Sequence, residues 1–487
     1  MKFAKPERLL SSCIRGGAIL ATGSIVERGA RFVRTMILTR LLAPEHLGMM
    51  ALIMAASQFL EALTEVGVRQ CVIQHKKGDT REFLNAAWWF SGIRGIGLYL
   101  LGFLATPWLA SFYNEPELTK LLKVAFLTMI FQGLTSPGLY VLEKKLKFGL
   151  QVLVIQGSGL VGTIISLILA FIYPNVWALV AGFVAEFLFR CLGSFFVYPF
   201  RPTLTWDRES LLSLFRFTRG IFGLPILTYL FLKADIFVIG RIFNKQMDIL
   251  GYYAVALMLA EMPNMIFTRI AGPLVLPALS TMQDQFERMK NNLLRMTHLL
   301  FLFGIPLATV LFIFAHPILF LVYGEAYSKV SGAFAVLNIY TLLFMAGVLI
   351  ANVYIALGRP ELHRKFTIIR ILFLAILIYP AVEWWDVTGV ATTRVLSIIF
   401  AGFFQLSSLK HVLQLSVMHY IYTAREGIVL SLILFIPALL CRYGLESQIL
   451  QLSGGAVLCI LMWLMGIHLL RRRGYSAGSG TSTATVQ

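Results

Sequence analysis

Val152–Tyr173, VLVIQGSGLVGTIISLILAFIY, runs without a single charged side chain. A helix needs about 20 mostly apolar residues to cross the hydrocarbon core of a bilayer. Comparable runs recur along the chain, for example at Leu299–Tyr323 and around Ile369–Val382. The mean hydropathy of +0.78 and the 14% charged residues lie far from the values of soluble domains. The sequence therefore predicts an all-α polytopic membrane protein.

Counting the apolar runs predicts about fourteen transmembrane helices. Their approximate bounds are 16–39, 46–74, 84–112, 121–142, 150–173, 176–198, 216–240, 250–277, 296–323, 331–357, 366–383, 388–409, 427–443 and 449–470. The longest polar connections, 201–219 and 281–295, have room for an interfacial helix but not for a catalytic domain. Residues 474–487 are rich in Gly, Ser and Thr, which predicts a disordered cytoplasmic tail.

The basic residues predict the orientation. With a cytoplasmic N-terminus, the inside segments hold 25 of the 42 Lys and Arg residues and the outside turns hold 6. Cytoplasmic loops of membrane proteins carry such an excess. Both termini are therefore predicted in the cytoplasm, and the net charge of +18 reflects orientation rather than binding to nucleic acid.

Other classes of site find no support in the sequence. The five cysteines are scattered, mostly inside apolar segments, so they indicate packing rather than a disulfide framework or a metal site. The N-terminus lacks the pattern of a cleaved signal peptide. No nucleotide-binding glycine loop, metal cluster or nucleophile triad is present, which predicts a protein that is not an enzyme and has no cofactor.

An internal repeat relates the two halves of the chain. Ala105–Glu115, ATPWLASFYNE, and Ala315–Glu325, AHPILFLVYGE, share five residues in the same order. Upstream, LGMMAL at Leu47 corresponds to LGYYAV at Leu250. Six spans per repeat give parallel repeats, with substrate expected between them. The predicted domains are an N-terminal six-helix lobe at 1–200, a C-terminal six-helix lobe at 201–415 and two additional helices at 416–473.

Seventeen charged residues are assigned to the interior of the predicted spans, whose bounds are approximate. Eleven are basic: Arg28, Arg31, Arg34, Arg69, Arg94, Lys123, Arg190, Lys233, Arg269, Arg370 and Arg394. Six are acidic: Glu27, Glu61, Glu65, Glu186, Asp235 and Glu261. A charged side chain at the bilayer centre costs roughly 3 kcal/mol on insertion scales, so the set costs on the order of 50 kcal/mol before snorkelling is counted. A hydrated interior cavity is the simplest explanation.

Span 1 concentrates these charges. At 100° per residue, Glu27, Arg28, Arg31 and Arg34 lie within an arc of about 120°, and Glu27 can pair with Arg31 at i,i+4. The opposite face is left for packing, with Ile25, Phe32, Val33 and Met36. One carboxylate cannot neutralise three guanidiniums, so the span is predicted to form a cationic cavity wall.

Two interpretations of these charges remain open. Each arginine can be a structural strut paired with a carboxylate such as Glu61, Glu65 or Glu261. Alternatively, because eleven basic residues outnumber six acids, the set can bind an anionic passenger, with phosphate the leading candidate. The acids Glu27, Glu61, Glu65, Asp235 and Glu261 are candidates for ion or proton coupling or for pairing with arginine.

The order of several segments carries a resemblance to a known family. These segments are LTRLLAPEHLGMMAL, EVGVRQCVIQ, LTSPGLYVLEKKLKFG, PNVWALVAG and PLVLPALSTMQ. Over residues 10–420 the chain resembles the polysaccharide transporters (Wzx-type flippases) of the multidrug/oligosaccharidyl-lipid/polysaccharide exporter superfamily. The resemblance implies two six-helix lobes in a V around a central cavity. It also implies export of an undecaprenyl-pyrophosphate-linked oligosaccharide across the bacterial inner membrane.

The resemblance also implies roles for individual residues. Relatives that flip the peptidoglycan lipid precursor carry cavity arginines on spans 1, 2 and 8. Those roles fall here on Arg28, Arg31 and Arg34, on Arg69 and on Arg269, without deciding which arginine contacts the pyrophosphate. Arg94, inside span 3, completes the predicted substrate-binding set. The expected partners are the lipid-linked oligosaccharide, membrane lipids and, in the same pathway, a polysaccharide polymerase and glycosyltransferases.

Two competing functions follow from the same composition. A drug/cation antiporter of the superfamily favours an acidic, aromatic cavity, and the excess of positive charge disfavours it. A membrane polymerase or ligase acting on lipid-linked glycans needs a sizeable outside loop with catalytic residues, whereas the outside turns here are short. The sequence therefore favours a flippase that works by alternating access.

Overall fold

The computed structural model describes residues 6–63, 67–145, 147–203, 207–221, 224–243, 246–445 and 447–472. All regular structure in these ranges is helical, and they contain no β-strand. The predicted all-α polytopic fold is confirmed. The predicted tail at 474–487 lies outside the described residues.

The chain divides into two compact units, which separate after Ala254. The first unit holds the helices α1 Pro6–Leu41, α2 Pro44–Leu63, α3 Val68–Gln74, α4 Arg81–Tyr113, α5 Glu117–Ala125, α6 Leu127–Leu134, α7 Gly138–Lys144, α8 Phe148–Ile172, α9 Val176–Val197, α10 Arg208–Ile221, α11 Leu224–Ile242 and the first half of α12 Met247–Ala260. The helices α10 and α11 and the first half of α12 thus belong to the second predicted lobe but pack in the first unit. The lobe boundaries at 200 and 415 stay a prediction.

The second unit contains the remainder of α12 and nine further helices. These are α13 Met262–Ser280, α14 Phe286–Ile313, α15 Ala315–Tyr323, α16 Glu325–Ser328, α17 Ser331–Ala356, α18 Pro360–Leu413, α19 Val417–Tyr422, α20 Arg425–Gly444 and α21 Gln448–Arg472. The long α18 is broken at Trp385 and Asp386, whose backbone angles are not helical. This break falls between predicted spans 11 and 12.

Ten helical stretches among the described residues are long and apolar enough to cross a membrane. The bent pair formed by 117–134 and 138–144 raises this number to eleven. The fourteen predicted spans all overlap helices, but that count also takes the two halves of α18 separately and includes α1 and α11, which both carry several charged residues. The number fourteen therefore stays a prediction.

Small residues bring α8 and α9 into close contact. A Cβ atom at Gly162 of α8 would lie 2.6 Å from the carbonyl oxygen of Gly182 of α9. A Cβ atom at Gly182 would in turn lie 2.5 Å from the Cβ of Ser166. Glycine and serine at such spacings allow two membrane helices to approach with their backbones in contact. The contact between α8 and α9 at these residues therefore determines the direction of the side chains in the following turn of α9.

The two copies of the A-x-P-x-L-x-x-x-Y-x-E motif both end a helix at a buried tyrosine, Tyr113 and Tyr323. The next residues, Asn114 and Gly324, both have positive φ, 54° and 108°. Their ψ values differ, 33° and 170°, so only Asn114 adopts the left-handed helical conformation that ends many helices. The duplication itself stays a prediction from the sequence.

Candidate anion-binding site

Glu186 of α9 connects two guanidinium groups inside the first unit. Its Oε2 accepts a hydrogen bond from Nη2 of Arg31 of α1 at 2.8 Å, and its Oε1 accepts one from Nη2 of Arg190 at 2.6 Å. Only 7% of Glu186 is exposed. A buried carboxylate is stable in the membrane interior when both oxygens are paired in this way. Glu186 therefore holds α1 and α9 together through charge.

Glu27 completes a four-residue chain of charges. Arg31 donates from Nε to Glu27 Oε1, so the i,i+4 pair predicted for span 1 is confirmed. The pair lies against the backbone of α8 at Gly159, where a Cβ atom would be 3.0 Å from Glu27 Oε1 and 3.1 Å from Arg31 Nη2. Ion pairs thus connect α1 to α9 in the order Glu27, Arg31, Glu186 and Arg190. This line of side chains passes over Gly159 of α8, where no side chain stands in the way.

Arg34 adds a third guanidinium to this cluster. It lies within electrostatic range of Arg31, Glu186 and Glu27. Its Nε is buried and has no hydrogen-bond partner in the part of the chain that the structure describes, and the same is true of Nε of Arg190. Three guanidiniums therefore meet two carboxylates, which gives the cluster a net positive charge with N–H donors to spare.

Tyr140 of α7 lies among four charged side chains of the first unit. Its hydroxyl lies within electrostatic range of Arg94 of α4, Arg69 of α3, Glu61 of α2 and Arg190 of α9. Arg190 is thus bonded to Glu186 and also lies within electrostatic range of Tyr140. The first unit in this way brings together most of the charges predicted for spans 1 to 6.

Arg69 has a dedicated carboxylate. Its Nε and Nη2 donate to the two oxygens of Glu143 of α7 at 2.9 and 2.6 Å, and Gln151 of α8 also donates to Glu143, at 3.0 Å. A bidentate pair of this kind fixes both side chains. In this conformation Arg69 is a strut between α3 and α7. Glu61 similarly accepts a hydrogen bond from Gln132 of α6.

The face of α1 that was predicted to pack against other helices is partly exposed. Ile25 and Val33, which the helical wheel assigned to packing, are 70% and 52% exposed. Arg28 is also exposed. The wheel gives only angles around the helix axis, whereas the neighbours α8 and α9 cover the side that carries Glu27, Arg31 and Arg34. In a membrane, exposed apolar side chains such as Ile25 are suited to contact with lipid.

The remaining predicted residues lie elsewhere. Asp235 of α11 is fully buried and accepts a hydrogen bond from the hydroxyl of Tyr253 of α12 at 2.6 Å. In the second unit, Arg269 is exposed, and Glu261 lies 4.0 Å from Nη1 of the buried Arg394. Glu65 lies outside the described residues.

Sequence reasoning placed Glu186 and Arg190 in the membrane but did not assign them to the site. Their i,i+4 spacing on one helix, like that of Glu27 and Arg31, was the available signal. Their contact with span 1 depends on a separation of 155 residues along the chain, which no local pattern reveals. Among the described residues, no cluster of His, Cys, Asp or Glu has the arrangement of a metal site.

The fold and the site together define a polytopic helical membrane protein with a cationic charge cluster in its first unit. Residues 37–332, more than half of the chain, match the family model described as "Polysaccharide biosynthesis protein". The chain belongs to this family, and the resemblance inferred from its segments is confirmed.

Relatives and a solved structure agree with this assignment. The chain is 23% identical over 363 residues to an "Uncharacterized membrane protein in cps region" of Klebsiella pneumoniae, covering 74% of each chain. It is 22% identical over 364 residues to "Lipopolysaccharide biosynthesis protein WzxC" of Escherichia coli K12, covering 74% of this chain and 73% of WzxC. Its fold is similar to that of "Lipid II flippase MurJ, inward closed conformation", with a TM-score of 0.77, 14% identity, and coverage of 94% of this chain and 100% of MurJ.

Proposed function

We propose that the protein is a flippase that moves undecaprenyl-pyrophosphate-linked oligosaccharide units from the cytoplasmic to the periplasmic face of the bacterial inner membrane. Membership of the polysaccharide biosynthesis family and the likeness to WzxC support the glycan pathway. The fold shared with a lipid flippase supports a lipid-linked cargo. Both termini lie in the cytoplasm in this proposal, as the distribution of Lys and Arg indicates.

The observation that carries the proposal is the unequal charge of the cluster on α1 and α9. Arg31, Arg34 and Arg190 outnumber Glu27 and Glu186, and the Nε atoms of Arg34 and Arg190 are buried without hydrogen-bond partners among the described residues. An unbonded buried donor costs free energy, which an anion in contact with it recovers. A pyrophosphate supplies several acceptor oxygens at once.

The three arginines divide their roles in this proposal. Arg31 is bonded to two carboxylates, so it positions the cluster and does not bind cargo. Arg34 and Arg190 have donors left for the pyrophosphate, in the fork geometry that suits phosphate oxygens. Arg94, like Arg190, lies within electrostatic range of Tyr140, and in this proposal it extends the positive region.

Transport follows by alternating access. The pyrophosphate binds at the arginines, the sugars occupy a hydrated interior and the lipid tail stays in the bilayer. Asp235, with its tyrosine partner, and Glu61 are the acids placed for ion or proton coupling or for structural pairing. In the same pathway, glycosyltransferases act before this step and a polysaccharide polymerase acts after it. The net positive charge of the cluster disfavours an antiporter for cationic drugs.

The test is a flipping assay in proteoliposomes with a fluorescent undecaprenyl-pyrophosphate-linked oligosaccharide. We expect Arg34→Gln to lower the flipping rate about tenfold or more, the value of one charge-assisted hydrogen bond, and Arg34→Lys to retain part of the rate. Arg40→Gln is the matched control, because Arg40 lies on the same helix, is exposed and donates to the carbonyl of Met36. Parental rates for both Arg34→Gln and Arg190→Gln in folded protein would refute the proposal.

A further inference from the structure

In the second unit, His298 of α14 contacts the turn between α19 and α20, at the start of the two additional helices. Its Nδ1 lies 3.3 Å from the carbonyl oxygen of Thr423, and its Nε2 lies 3.5 Å from Oε2 of Glu426. The side chains of His298 and Glu426 are only 14% and 19% exposed. Water therefore screens this pair less than it screens an ion pair on an open surface.

The two oxygen atoms favour a ring that carries both of its protons. A neutral histidine has one N–H group and one bare nitrogen, whereas a charged histidine has an N–H group on each nitrogen. Each ring nitrogen of His298 faces an acceptor, either the carbonyl of Thr423 or the carboxylate of Glu426. A neutral ring would therefore direct a lone pair at one of these oxygens. Glu426 lies in the first turn of α20, where the helix dipole stabilises a negative charge.

The neighbouring elements bring further charged or titratable groups to this end of α14. Those next to the contact along the chain are Arg295 on α14 itself, His419, Tyr420 and Tyr422 of α19 and Arg425 of α20. From the other packed helices, Tyr354 of α17 lies within electrostatic range of Tyr420, and the exposed Lys410 and His411 end α18. Between pH 6 and 8.5 the arginines and the lysine stay charged and the tyrosines stay neutral. His411 and His419 titrate near neutral pH as well, but both are exposed.

Other contacts hold α20 to α14 without depending on pH. A Cβ atom at Gly427 would lie 2.3 Å from the carbonyl oxygen of Phe301, so the two backbones touch there. Two turns further along α14, the hydroxyl groups of Thr309 and Ser431 share a hydrogen bond. These contacts remain when His298 loses a proton. Deprotonation should therefore loosen the turn before α20 without detaching the helix.

We infer that His298 is a proton-sensitive clasp that fastens the beginning of α20 to α14. With both protons the ring donates to Thr423 and to Glu426, and with one proton it can donate to only one of them. Stability that depends on a bound proton is present at low pH and is lost as the pH rises. In the orientation proposed above this end faces the cytoplasm, so the attachment of the additional helices responds to cytoplasmic pH. The inference goes beyond the proposed flippase function and does not require it.

The test measures amide hydrogen exchange of residues 417–430 by mass spectrometry, in detergent, at pH 6.0 and again at pH 8.5. Glutamine has one N–H₂ donor group and no charge, so His298→Gln removes the response to protons. At pH 6.0 we expect the segment to exchange several-fold faster in His298→Gln than in the parent protein. At pH 8.5 the two proteins should exchange at nearly the same rate.

Two further variants complete the comparison. Glu426→Gln should reproduce the effect of His298→Gln, and combining the two substitutions should add little, because each removes the same contact. His411→Gln is the matched control, since His411 is an exposed histidine at the end of α18. Its exchange should equal that of the parent protein at both pH values.

Three results would overturn the clasp. The first is equal exchange in the parent protein and His298→Gln at pH 6.0. The second is a difference of the same size at both pH values, which would make His298 a packing residue only. The third is an equal response in His411→Gln. Size-exclusion chromatography establishes that each variant is folded, and Glu426→Gln gives the same comparison if His298→Gln is not. A parent protein that moves no lipid-linked oligosaccharide in the flipping assay refutes the proposed function and leaves the clasp standing.

Discussion

At the scale of single residues, Glu186 determines whether the arginine cluster can exist. Removing a carboxylate from water is costly, and Glu186 is compensated by hydrogen bonds from Arg31 and Arg190 at 2.8 and 2.6 Å. The same bonds lower the repulsion between the two guanidiniums. Glu186 therefore allows the positive charges of Arg31 and Arg190 to lie close together.

We predict that Glu186→Gln destabilises the protein by about 1–3 kcal/mol. A fully buried pair loses about 3–5 kcal/mol when one partner is removed, but the side chains of Arg31 and Arg190 are 30% and 24% exposed, so water screens part of the loss. Thermal unfolding in detergent measures the change. Glu209→Gln is the control, because Glu209 is 79% exposed and faces Lys77 at 3.6 Å, and its loss should be undetectable. Equal melting temperatures for the two variants would contradict this account of Glu186.

Within the cluster, the sequence predicted the pair Glu27–Arg31 and missed both the second pair within one helix, Glu186–Arg190, and the pair between helices, Arg31–Glu186. Glu27 and Arg31 are four residues apart, so helical geometry alone was sufficient. Arg69 was predicted to line a cavity, but it contacts Glu143, a residue that the sequence assigned to an inside loop. Which acid lies opposite which base depends on how helices cross, and no spacing along the chain encodes that.

At the scale of helices, the site depends on how closely α8 approaches α9. The Cβ position of Gly162 is 2.9 Å from Cβ of Glu186, so this glycine determines the distance between α8 and the residue that carries the charges. Gly159, one turn earlier, leaves room for the Glu27–Arg31 pair. The small residues of α8 thus allow charged side chains of α1 and α9 to lie directly against the backbone of α8.

We predict that Gly162→Ala weakens anion binding by displacing Glu186, Arg31 and Arg190 together. A methyl group 2.6 Å from the carbonyl oxygen of Gly182 must push α8 and α9 apart by several tenths of an ångström. Titration with inorganic pyrophosphate, followed by tryptophan fluorescence or calorimetry, should show a dissociation constant raised several-fold.

Gly157→Ala provides the control on the same helix. A Cβ atom there meets nothing within 4 Å, so the substitution should leave the affinity unchanged, and the higher helix propensity of alanine should stabilise it slightly in any exposed helical context. An affinity for pyrophosphate that is equal in both variants would show that the α8–α9 distance does not position the arginines.

Hydropathy predicted the apolar helices well and the broken ones less well. The 25-residue α8 coincides with an uncharged run. By contrast, predicted span 4 consists of α5, α6 and α7 with a bend of 56° before α7. Breaks of this kind come from prolines such as Pro137 and from polar caps that tertiary contacts satisfy, and an average over a window of residues does not resolve them.

At the scale of the whole molecule, the excess of positive charge and the proposed orientation both favour an anionic cargo that enters from the cytoplasmic side. The chain carries a net charge of +18, and the cluster on α1 and α9 is itself net positive when Arg34 is counted with its two ion-paired arginines. An anionic cargo is attracted to such a region from the cytoplasmic side, where the basic loops are proposed to lie. In the proposed location, a bacterial inner membrane, the resting potential is negative inside and therefore favours outward movement of a bound anion.

We therefore predict that flipping is electrogenic. One elementary charge that crosses a full potential of 100 mV gains about 2.3 kcal/mol, and if half of the field precedes the rate-limiting barrier the rate rises about sevenfold per charge. Proteoliposomes with a potassium gradient and valinomycin impose the potential, and equal potassium on both sides provides the zero-potential control. Reversing the gradient should slow transport of the pyrophosphate-linked oligosaccharide by a similar factor. A rate that is the same at all three potentials would mean that no net charge moves with the cargo. In that case the charge of the cargo would have to be compensated, either by arginine side chains that move with the cargo or by a second ion. Both would contradict a fixed cationic site on α1 and α9.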